Sequence, residues 1–279
     1  CERTLSMEKL SIGTMILDHT EEALYPYIDF MASLGMTSCQ ICRVTDDLLN
    51  DRAASDRFIN YLRAKKIEPV SIFLHTRVRE GGNGLVSDAE RPARFVSACR
   101  QMAWGAHYGV KYISCHVGEF PEHGTADYDR WIADMQELIR FAADMGQDFL
   151  FETGPEPAEV LKQALEDLNE KNAGINFDPA NLLWYNKTDP AVFAEMLFPY
   201  FRLIHCKDAV RPVPGGEWHG RETVLGEGGT NFFALLESLL KKGFCGPLII
   251  EREIPFGEER CRDLTVASAK LAALRAKYL

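Results

Sequence analysis

The chain has 279 residues, with 31 lysines and arginines against 41 aspartates and glutamates, a formal charge of −10, and 46% hydrophobic residues. This is the composition of an ordinary globular protein. The acidic balance disfavours nonspecific binding to nucleic-acid phosphates, because lysine and arginine supply that binding. No apolar run approaches the roughly 18 residues of a membrane span, and no signal-peptide pattern is present. We therefore expect a soluble, cytoplasmic protein that does not bind membrane and for which nucleic acid is a disfavoured but not excluded partner.

Short apolar runs alternate with amphipathic segments along the chain, and eight of these runs are predicted strands. They are Leu10 to Leu17, Thr37 to Val44, Pro69 to His75, Lys111 to His116, Asp148 to Glu152, Gly174 to Asp178, Arg202 to His205 and Pro247 to Glu251. The segments between them carry apolar residues at helical spacing. Several of these segments end in a glycine, which favours the left-handed conformation of a helix cap; the glycines are Gly35, Gly109, Gly146 and Gly243.

The alternation of strands and helices favours a parallel sheet, and eight such units fit a single (β/α)8 TIM barrel. An open doubly wound sheet is the alternative, but the turn around Gly13 lacks the three spaced glycines of a dinucleotide site. No linker or fixed-period repeat divides the chain, so residues 1–279 are predicted to form one domain. Residues 1–6 precede Met7, which could be the natural start, and we treat them as an extension. Ala209 to Thr230 is predicted to be an irregular loop.

The clearest functional signal is the residue at which each of the last four predicted strands ends. These residues are Glu152, Asp178, His205 and Glu251, each after an apolar run. The carboxyl ends of all strands in a parallel barrel lie on one face, so the four side chains should converge there. Three carboxylates and one imidazole suit Mn²⁺, Mg²⁺, Co²⁺ or Zn²⁺. Glu253 shares the strand parity of Glu251 and is the alternative fourth ligand.

Other chemistry-bearing residues are more ambiguous. His75 and His116 also end predicted strands, and each could face the site or bond within the barrel top. Cys39 and Cys42 have the spacing of a redox motif, but residues three apart in a strand face opposite sides, so we assign them no chemistry. Eight cysteines are too few for a disulfide scaffold of this length and are predicted to be reduced.

From Leu10 onward the chain resembles the xylose isomerase-like barrels, a superfamily that holds sugar and sugar-phosphate isomerases, ketose 3-epimerases and zinc-dependent apurinic endonucleases. The motifs that carry the resemblance are Phe151-Glu152-Thr153-Gly154, Asn176-Phe177-Asp178-Pro179-Ala180-Asn181, His205-Cys206-Lys207-Asp208, Gly226-Glu227-Gly228 and Ile250-Glu251. The resemblance to the 3-epimerases implies that the four strand-end residues bind a metal. It also implies that Glu152 and Glu251 act as acid and base.

The resemblance implies substrate contacts as well. Arg221 is similar in position to an arginine that contacts substrate hydroxyls in the 3-epimerases, and Lys207 shares the strand parity of His205. Asn181 stands where many relatives have histidine, which disfavours an endonuclease. His75 and His116 do match the endonuclease pattern, so that alternative stays open. The predicted substrate-binding residues are His75, His116, Asn181, Lys207 and Arg221.

The predicted function is therefore that of a sugar or sugar-phosphate isomerase or epimerase that uses a divalent metal, Mn²⁺ as the first choice. A proton next to a carbonyl would be transferred through a metal-stabilised enediolate. A dehydratase of a keto-sugar or keto-inositol, an apurinic endonuclease-like phosphodiester hydrolase and a noncatalytic barrel are the alternatives. The expected partner is a small-molecule carbohydrate. The pattern does not specify an oligomeric state, but superfamily members are often dimers or tetramers, so we expect a homodimer or homotetramer.

Overall fold

The computed structural model describes residues 9–74, 84–85 and 90–278. Eight strands close into a barrel in the order β1-β10-β7-β6-β5-β4-β3-β2, and each neighbouring pair is parallel. This confirms the predicted (β/α)8 barrel. The barrel strands are β1 (Ile12–Ile16), β2 (Ser38–Cys42), β3 (Glu68–Phe73), β4 (Tyr112–Cys115), β5 (Asp148–Glu152), β6 (Ala173–Phe177), β7 (Phe201–Cys206) and β10 (Leu248–Ile250).

Helices connect the barrel strands, and the predicted glycine caps adopt positive φ angles of 70° at Gly35, 79° at Gly109, 73° at Gly146 and 98° at Gly243. No helix among the described residues is long and apolar enough to cross a membrane. The helices are α1 (Glu21–Ser33), α2 (Asp46–Asn50), α3 (Arg52–Ala64), α4 (Arg91–His107), α5 (Ala126–Asp144), α6 (Ala158–Leu168), α7 (Pro179–Trp184), α8 (Pro190–Leu197), α9 (Phe232–Lys241) and α10 (Glu258–Arg275), and a 3₁₀ turn covers Phe198–Tyr200.

An apolar layer inside the barrel positions the residues at the strand ends. Side chains alternate across a strand, so a residue two positions later faces the same side. Glu152, His205 and Glu251 each stand two residues after a member of this layer. Its buried members come from six strands and are Met15, Val70, Tyr112, Leu150, Leu203 and Ile249. The layer closes the barrel interior and directs the following polar side chains to the top of the same space.

The stretch predicted as an irregular loop contains two short strands that the sequence pattern missed. Strands β8 (Asp208–Val210) and β9 (Arg221–Thr223) pair antiparallel. Asp208 then anchors the Gly226-Glu227-Gly228 turn, because its Oδ2 accepts hydrogen bonds from the amides of Gly226 and Gly228, both at 3.0 Å. A Cβ at position 228 would lie 2.2 Å from Asp208 Oδ1. Gly228 is therefore required by the close approach of the Asp208 carboxylate.

Gly13 of β1 gives a direct test of the barrel packing. A Cβ at this position would lie 2.0 Å from the carbonyl oxygen of its neighbour Ser38 on β2. We expect Gly13→Ala to force the two strands apart and to lower the free energy of unfolding by roughly 1–3 kcal/mol or more, as overpacking does. Urea denaturation measures this change.

Gly257→Ala is the control, because a Cβ at position 257 has nothing within 4 Å. We expect this variant to lose less than about 1 kcal/mol, a helix N-cap effect. Unfolding of Gly13→Ala at the wild-type urea concentration would contradict the described strand register.

Candidate metal centre

Four side chains from different barrel strands meet at one buried point. Glu152 is the last residue of β5, and Asp178 and Glu251 directly follow β6 and β10. His205 was predicted to end its strand, but β7 continues to Cys206. The possible ligand atoms of these four residues all lie within 4.8 Å of one another. The structure thus brings together the residues that were predicted to bind a metal.

The imidazole of His205 lies at the centre of the cluster. Its Nδ1 is 2.8 Å from Glu152 Oε1, 2.7 Å from Glu251 Oε2 and 3.8 Å from Asp178 Oδ2. Burial lowers the pKa of His205, but the three carboxylates outweigh burial and raise it well above its usual range. The cluster therefore favours a positive charge at its centre.

The far side of the imidazole is held by a polar layer inside the barrel. His205 Nε2 lies 2.8 Å from Gln40 Oε1, and an amide oxygen can only accept a hydrogen bond. The amide nitrogen of Asn176, a hydrogen-bond donor, lies 2.9 Å from the same Nε2. In the neutral tautomer that donates from Nε2 to Gln40, Nδ1 offers its lone pair to a ligand. Gln40 Nε2 in turn donates to Ser71 Oγ at 2.9 Å, and Asn176 Nδ2 donates to Ser114 Oγ at 3.0 Å.

The carboxylates of the cluster have oxygens available for a metal. Among the described residues, Glu152 Oε2, Asp178 Oδ2 and Glu251 Oε2 are buried without a hydrogen bond of good geometry. Glu152 Oε2 and Glu251 Oε2 have ion-pair contacts instead, at 2.7 Å to His116 Nε2 and to His205 Nδ1. Three carboxylates and an imidazole with a free lone pair form a donor set for Mn²⁺, Mg²⁺, Co²⁺ or Zn²⁺. The residues present thus fit a divalent metal.

Asp178 combines two tasks because its two oxygens point to different partners. Oδ1 caps α7 by accepting hydrogen bonds from the amides of Ala180 at 2.8 Å and Asn181 at 3.1 Å. Oδ2 remains for the cluster. The Asn181 side chain, predicted to bind substrate, donates to the carbonyl of Thr153 at 3.0 Å, and Thr153 Oγ1 donates to the carbonyl of Asp178 at 2.9 Å. These bonds fix the backbone beside two of the four cluster residues.

Each glutamate of the cluster also has a cationic neighbour on its other side. Glu152 Oε2 is 2.7 Å from His116 Nε2, and Glu251 Oε1 accepts a hydrogen bond from Lys207 Nζ at 3.0 Å. Burial raises the pKa of Glu152, but His116 and His205 outweigh burial and lower it to about 2. Burial likewise raises the pKa of Glu251, yet Lys207 and His205 hold it well below its usual range. Both glutamates are therefore ionised.

The alternative ligand Glu253 does not join the cluster. Its side chain is 58% exposed and binds Lys207, which thus bridges Glu251 and Glu253. The charge of Glu251, together with burial, raises the pKa of Glu253 to about 7. The structure therefore places Glu251 at the centre and Glu253 at its edge.

The other predicted site residues lie in different surroundings. His116 is next to Glu152 and its side chain is 42% exposed. Arg221 is exposed on β9, opposite Val210, and is outside the four-residue cluster. His75 lies outside the described residues. Substrate binding by these residues stays a prediction.

Several residues of the site were not found from the sequence. Gln40 and Asn176 interrupt apolar strands, and this was the only signal that they face the barrel interior. Glu156 is also buried, and its Oε1 accepts a hydrogen bond from the amide of Gly154 at 3.1 Å. Burial raises the pKa of Glu156 to about 7. A glutamate this close to Glu152 in sequence carries no pattern that predicts its burial.

A cavity of about 1150 Å³ adjoins the cluster. It is lined by Glu152, Glu251 and His116 on the side of the cluster. Its other walls include the aromatic side chains of Phe58 and Phe256. The cavity is slightly larger than a typical small-molecule site, which occupies about 300–1,000 Å³.

The double task of Asp178 predicts that metal binding and helix capping can be separated. Asp178→Asn should keep the cap, because asparagine caps helices as well as aspartate does, while Mn²⁺ affinity falls at least about tenfold. Asp178→Ala should lose the same affinity and, without metal, about 1 kcal/mol of stability relative to Asp178→Asn. Calorimetric titration with Mn²⁺ and urea denaturation measure the two effects.

Asp189→Asn is the matched control. Asp189 begins an identical Asp-Pro-Ala sequence and caps α8 by accepting from the amide of Ala191 at 2.9 Å, but it is exposed and outside the cluster. Its substitution should leave Mn²⁺ affinity unchanged. Equal Mn²⁺ affinity in wild type and Asp178→Asn would exclude Asp178 as a ligand.

The sequence matches a family model described as "Xylose isomerase-like TIM barrel" over residues 28–275. No curated protein sequence matches the chain. A xylose isomerase domain protein from Planctomyces limnophilus has a similar structure, with 29% identity, a TM-score of 0.87, and coverage of 96% of this chain and 98% of the other.

Two more distant structures share the fold. A xylose isomerase-like TIM barrel protein from Mycobacterium smegmatis, in complex with magnesium, has 15% identity and a TM-score of 0.76, covering 95% of this chain and 96% of its own. A D-psicose 3-epimerase from Clostridium cellulolyticum H10, with D-tagatose, has 14% identity and a TM-score of 0.71, covering 95% and 98%. Since the family model spans most of the sequence, the chain belongs to the xylose isomerase-like TIM barrel family.

Proposed function

We propose that this protein is a divalent-metal-dependent epimerase or isomerase that moves a proton next to the carbonyl of a sugar or sugar phosphate. The observation that carries the proposal is the pair of buried glutamates at the cluster. Glu152 and Glu251 each place one oxygen within 2.8 Å of His205 Nδ1 and the other against a cationic group, His116 or Lys207. A two-base proton transfer requires one carboxylate that takes a proton and a second carboxyl group that returns one, and each glutamate has a cationic neighbour that can protonate it.

Glu152, Asp178, His205 and Glu251 would hold the metal, with Mn²⁺ as the first choice among Mn²⁺, Mg²⁺, Co²⁺ and Zn²⁺. A bound divalent ion supplies Lewis-acid chemistry, polarising a carbonyl oxygen and lowering the barrier by several kcal/mol. Oxygen atoms of the substrate would supply any further ligands that the metal requires.

The two glutamates would carry the proton. A carboxylate oxygen of one glutamate takes the proton from the carbon beside the carbonyl, and the C–H electron pair moves toward the carbonyl to give an enediolate. The second glutamate, protonated by its cationic neighbour, returns a proton to the same carbon from the opposite face and inverts that centre, which is epimerisation. A proton returned to the neighbouring carbon isomerises the sugar. His116 Nε2 and Lys207 Nζ contact the two carboxylates and can resupply their protons.

A carbohydrate substrate is supported by the cavity beside the cluster and by the fold shared with a D-psicose 3-epimerase. Two observations argue against the endonuclease-like alternative. Within the described residues there is one group of three or more metal-competent side chains, and it has four members. In addition, the Asn181 side chain is committed to the carbonyl of Thr153.

The proposal predicts exchange of a substrate proton with solvent. In D₂O, the Mn²⁺-loaded protein should exchange the α-proton of at least one member of a panel of ketoses and their phosphates, followed by ¹H NMR. Glu152→Gln and Glu251→Gln should each lower the exchange rate about 10²- to 10⁴-fold, the usual contribution of a general acid or base. Removal of the metal should abolish exchange, and its return should restore it.

Glu227→Gln provides the control, since Glu227 is an exposed glutamate in the Gly226-Glu227-Gly228 turn and is not a member of the cluster. It should exchange at the wild-type rate. Exchange that survives substitution of both Glu152 and Glu251 would contradict the proposed roles. Loss of a β-hydroxyl instead of exchange would assign the site to dehydration.

A further inference from the structure

The cavity beside the candidate metal centre contains a buried arginine that forms no ion pair with any carboxylate the structure describes. Arg260, on α10, lines the cavity and is only 4% exposed. Its Nη2 donates a hydrogen bond to Tyr27 Oη at 3.3 Å, and its guanidinium lies 5.2 Å from the centroid of that ring. Its Nε is buried with no hydrogen-bond partner. The contact with Tyr27 satisfies part of the guanidinium but does not neutralise it.

A buried guanidinium is always charged and normally has a paired anion. Arg252, eight positions earlier, shows the usual solution, because its guanidinium lies 2.9 Å from both Glu222 and Asp263. None of the carboxylates lining the cavity lies within 4.0 Å of an Arg260 nitrogen; they are Asp18, Glu21, Asp47, Glu152, Glu251 and Glu253. Among the described residues, no carboxylate serves as the counterion of Arg260, which leaves its charge open to an anionic ligand in the cavity.

Two further arginines line the same cavity. Arg43 and Arg57 are both exposed, and neither has an ion pair with a described carboxylate. Arg43 directly follows β2 with a φ of 64°, a conformation that residues other than glycine rarely adopt, and its amide donates to the carbonyl of Phe73 at 2.8 Å. The cavity thus presents three guanidiniums without an ion pair in the described part of the chain, although the whole chain carries a charge of −10.

We propose, on the basis of the function proposed above, that Arg260 together with Arg43 and Arg57 binds the phosphate group of the substrate. The site would then act on a sugar phosphate. A phosphate monoester carries nearly two negative charges and three acceptor oxygens, so it can pair with more than one guanidinium, whereas a carboxylate carries one charge. The cavity is continuous from Glu152 and Glu251 to Arg260, so one molecule can contact both ends.

The test is calorimetric titration of the metal-free, full-length protein with inorganic phosphate at constant ionic strength. The wild type should bind phosphate, and Arg260→Gln should bind it at least about tenfold more weakly, as expected for a lost charged hydrogen bond. Arg262→Gln is the matched control on the same helix: its side chain is 67% exposed and does not line the cavity, so phosphate binding should be unchanged.

Arg57→Gln provides a second variant, because replacing an exposed residue disturbs folding less than replacing the buried Arg260. Arg57 is exposed, and its loss should weaken phosphate binding about threefold or more. No binding by wild type up to about 10 mM phosphate, or equal binding by wild type, Arg260→Gln and Arg57→Gln, would overturn the proposal. Acetate binding as tight as phosphate binding would also overturn it, in favour of a carboxylate ligand.

Metal-free protein also separates this proposal from the proposed function. Phosphate that binds through Arg260 while the Mn²⁺-loaded protein exchanges no substrate proton would support the anion site and reject the reaction. Proton exchange from unphosphorylated ketoses, with no phosphate binding, would support the reaction and reject the anion site.

Discussion

Three buried carboxylates, those of Glu152, Asp178 and Glu251, lie close enough to repel one another. The residues at the top of the barrel have to offset this repulsion. The cationic groups at the site are arranged around it. His205 lies between Glu152 and Glu251, and Lys207 and His116 contact the outer oxygens of the two glutamates. Three carboxylate oxygens still lack hydrogen bonds of good geometry, so the arrangement fits a divalent cation. The ionised state of the two glutamates and their fitness for a metal have the same electrostatic origin.

The barrel supplies the rigidity that this arrangement needs. An apolar layer fills the interior, and a polar layer above it holds the imidazole of His205 through Gln40, which fixes the orientation of the ring. Asp178 is likewise fixed by the fold, since one carboxylate oxygen caps α7 and the other faces the cluster, where a metal would bind. Rigid elements rather than flexible loops therefore place the groups that would bind the metal and move a proton.

The sequence predicts most of this site because a parallel barrel converts strand ends into neighbours. Asp178 and Asp189 begin the same Asp-Pro-Ala tripeptide, but only Asp178 follows a barrel strand. Its position in the fold, and not its local sequence, made Asp178 a candidate metal ligand. Gln40 was not predicted, because one polar residue in a strand does not reveal which side it faces. Arg260 was not predicted either, because an arginine in a charged helix start gives no sign of burial. Strands β8 and β9 were too short to leave a pattern.

The central claim is that Glu152, Asp178, His205 and Glu251 bind one divalent metal, and anomalous diffraction from crystals soaked in MnCl₂ tests it most directly. We expect one anomalous peak at the manganese edge. The ion at this peak should be coordinated by His205 Nδ1 and by carboxylate oxygens of the other three residues at about 2.0–2.2 Å. A peak elsewhere on the chain, or no peak between these residues at saturating Mn²⁺, would contradict it.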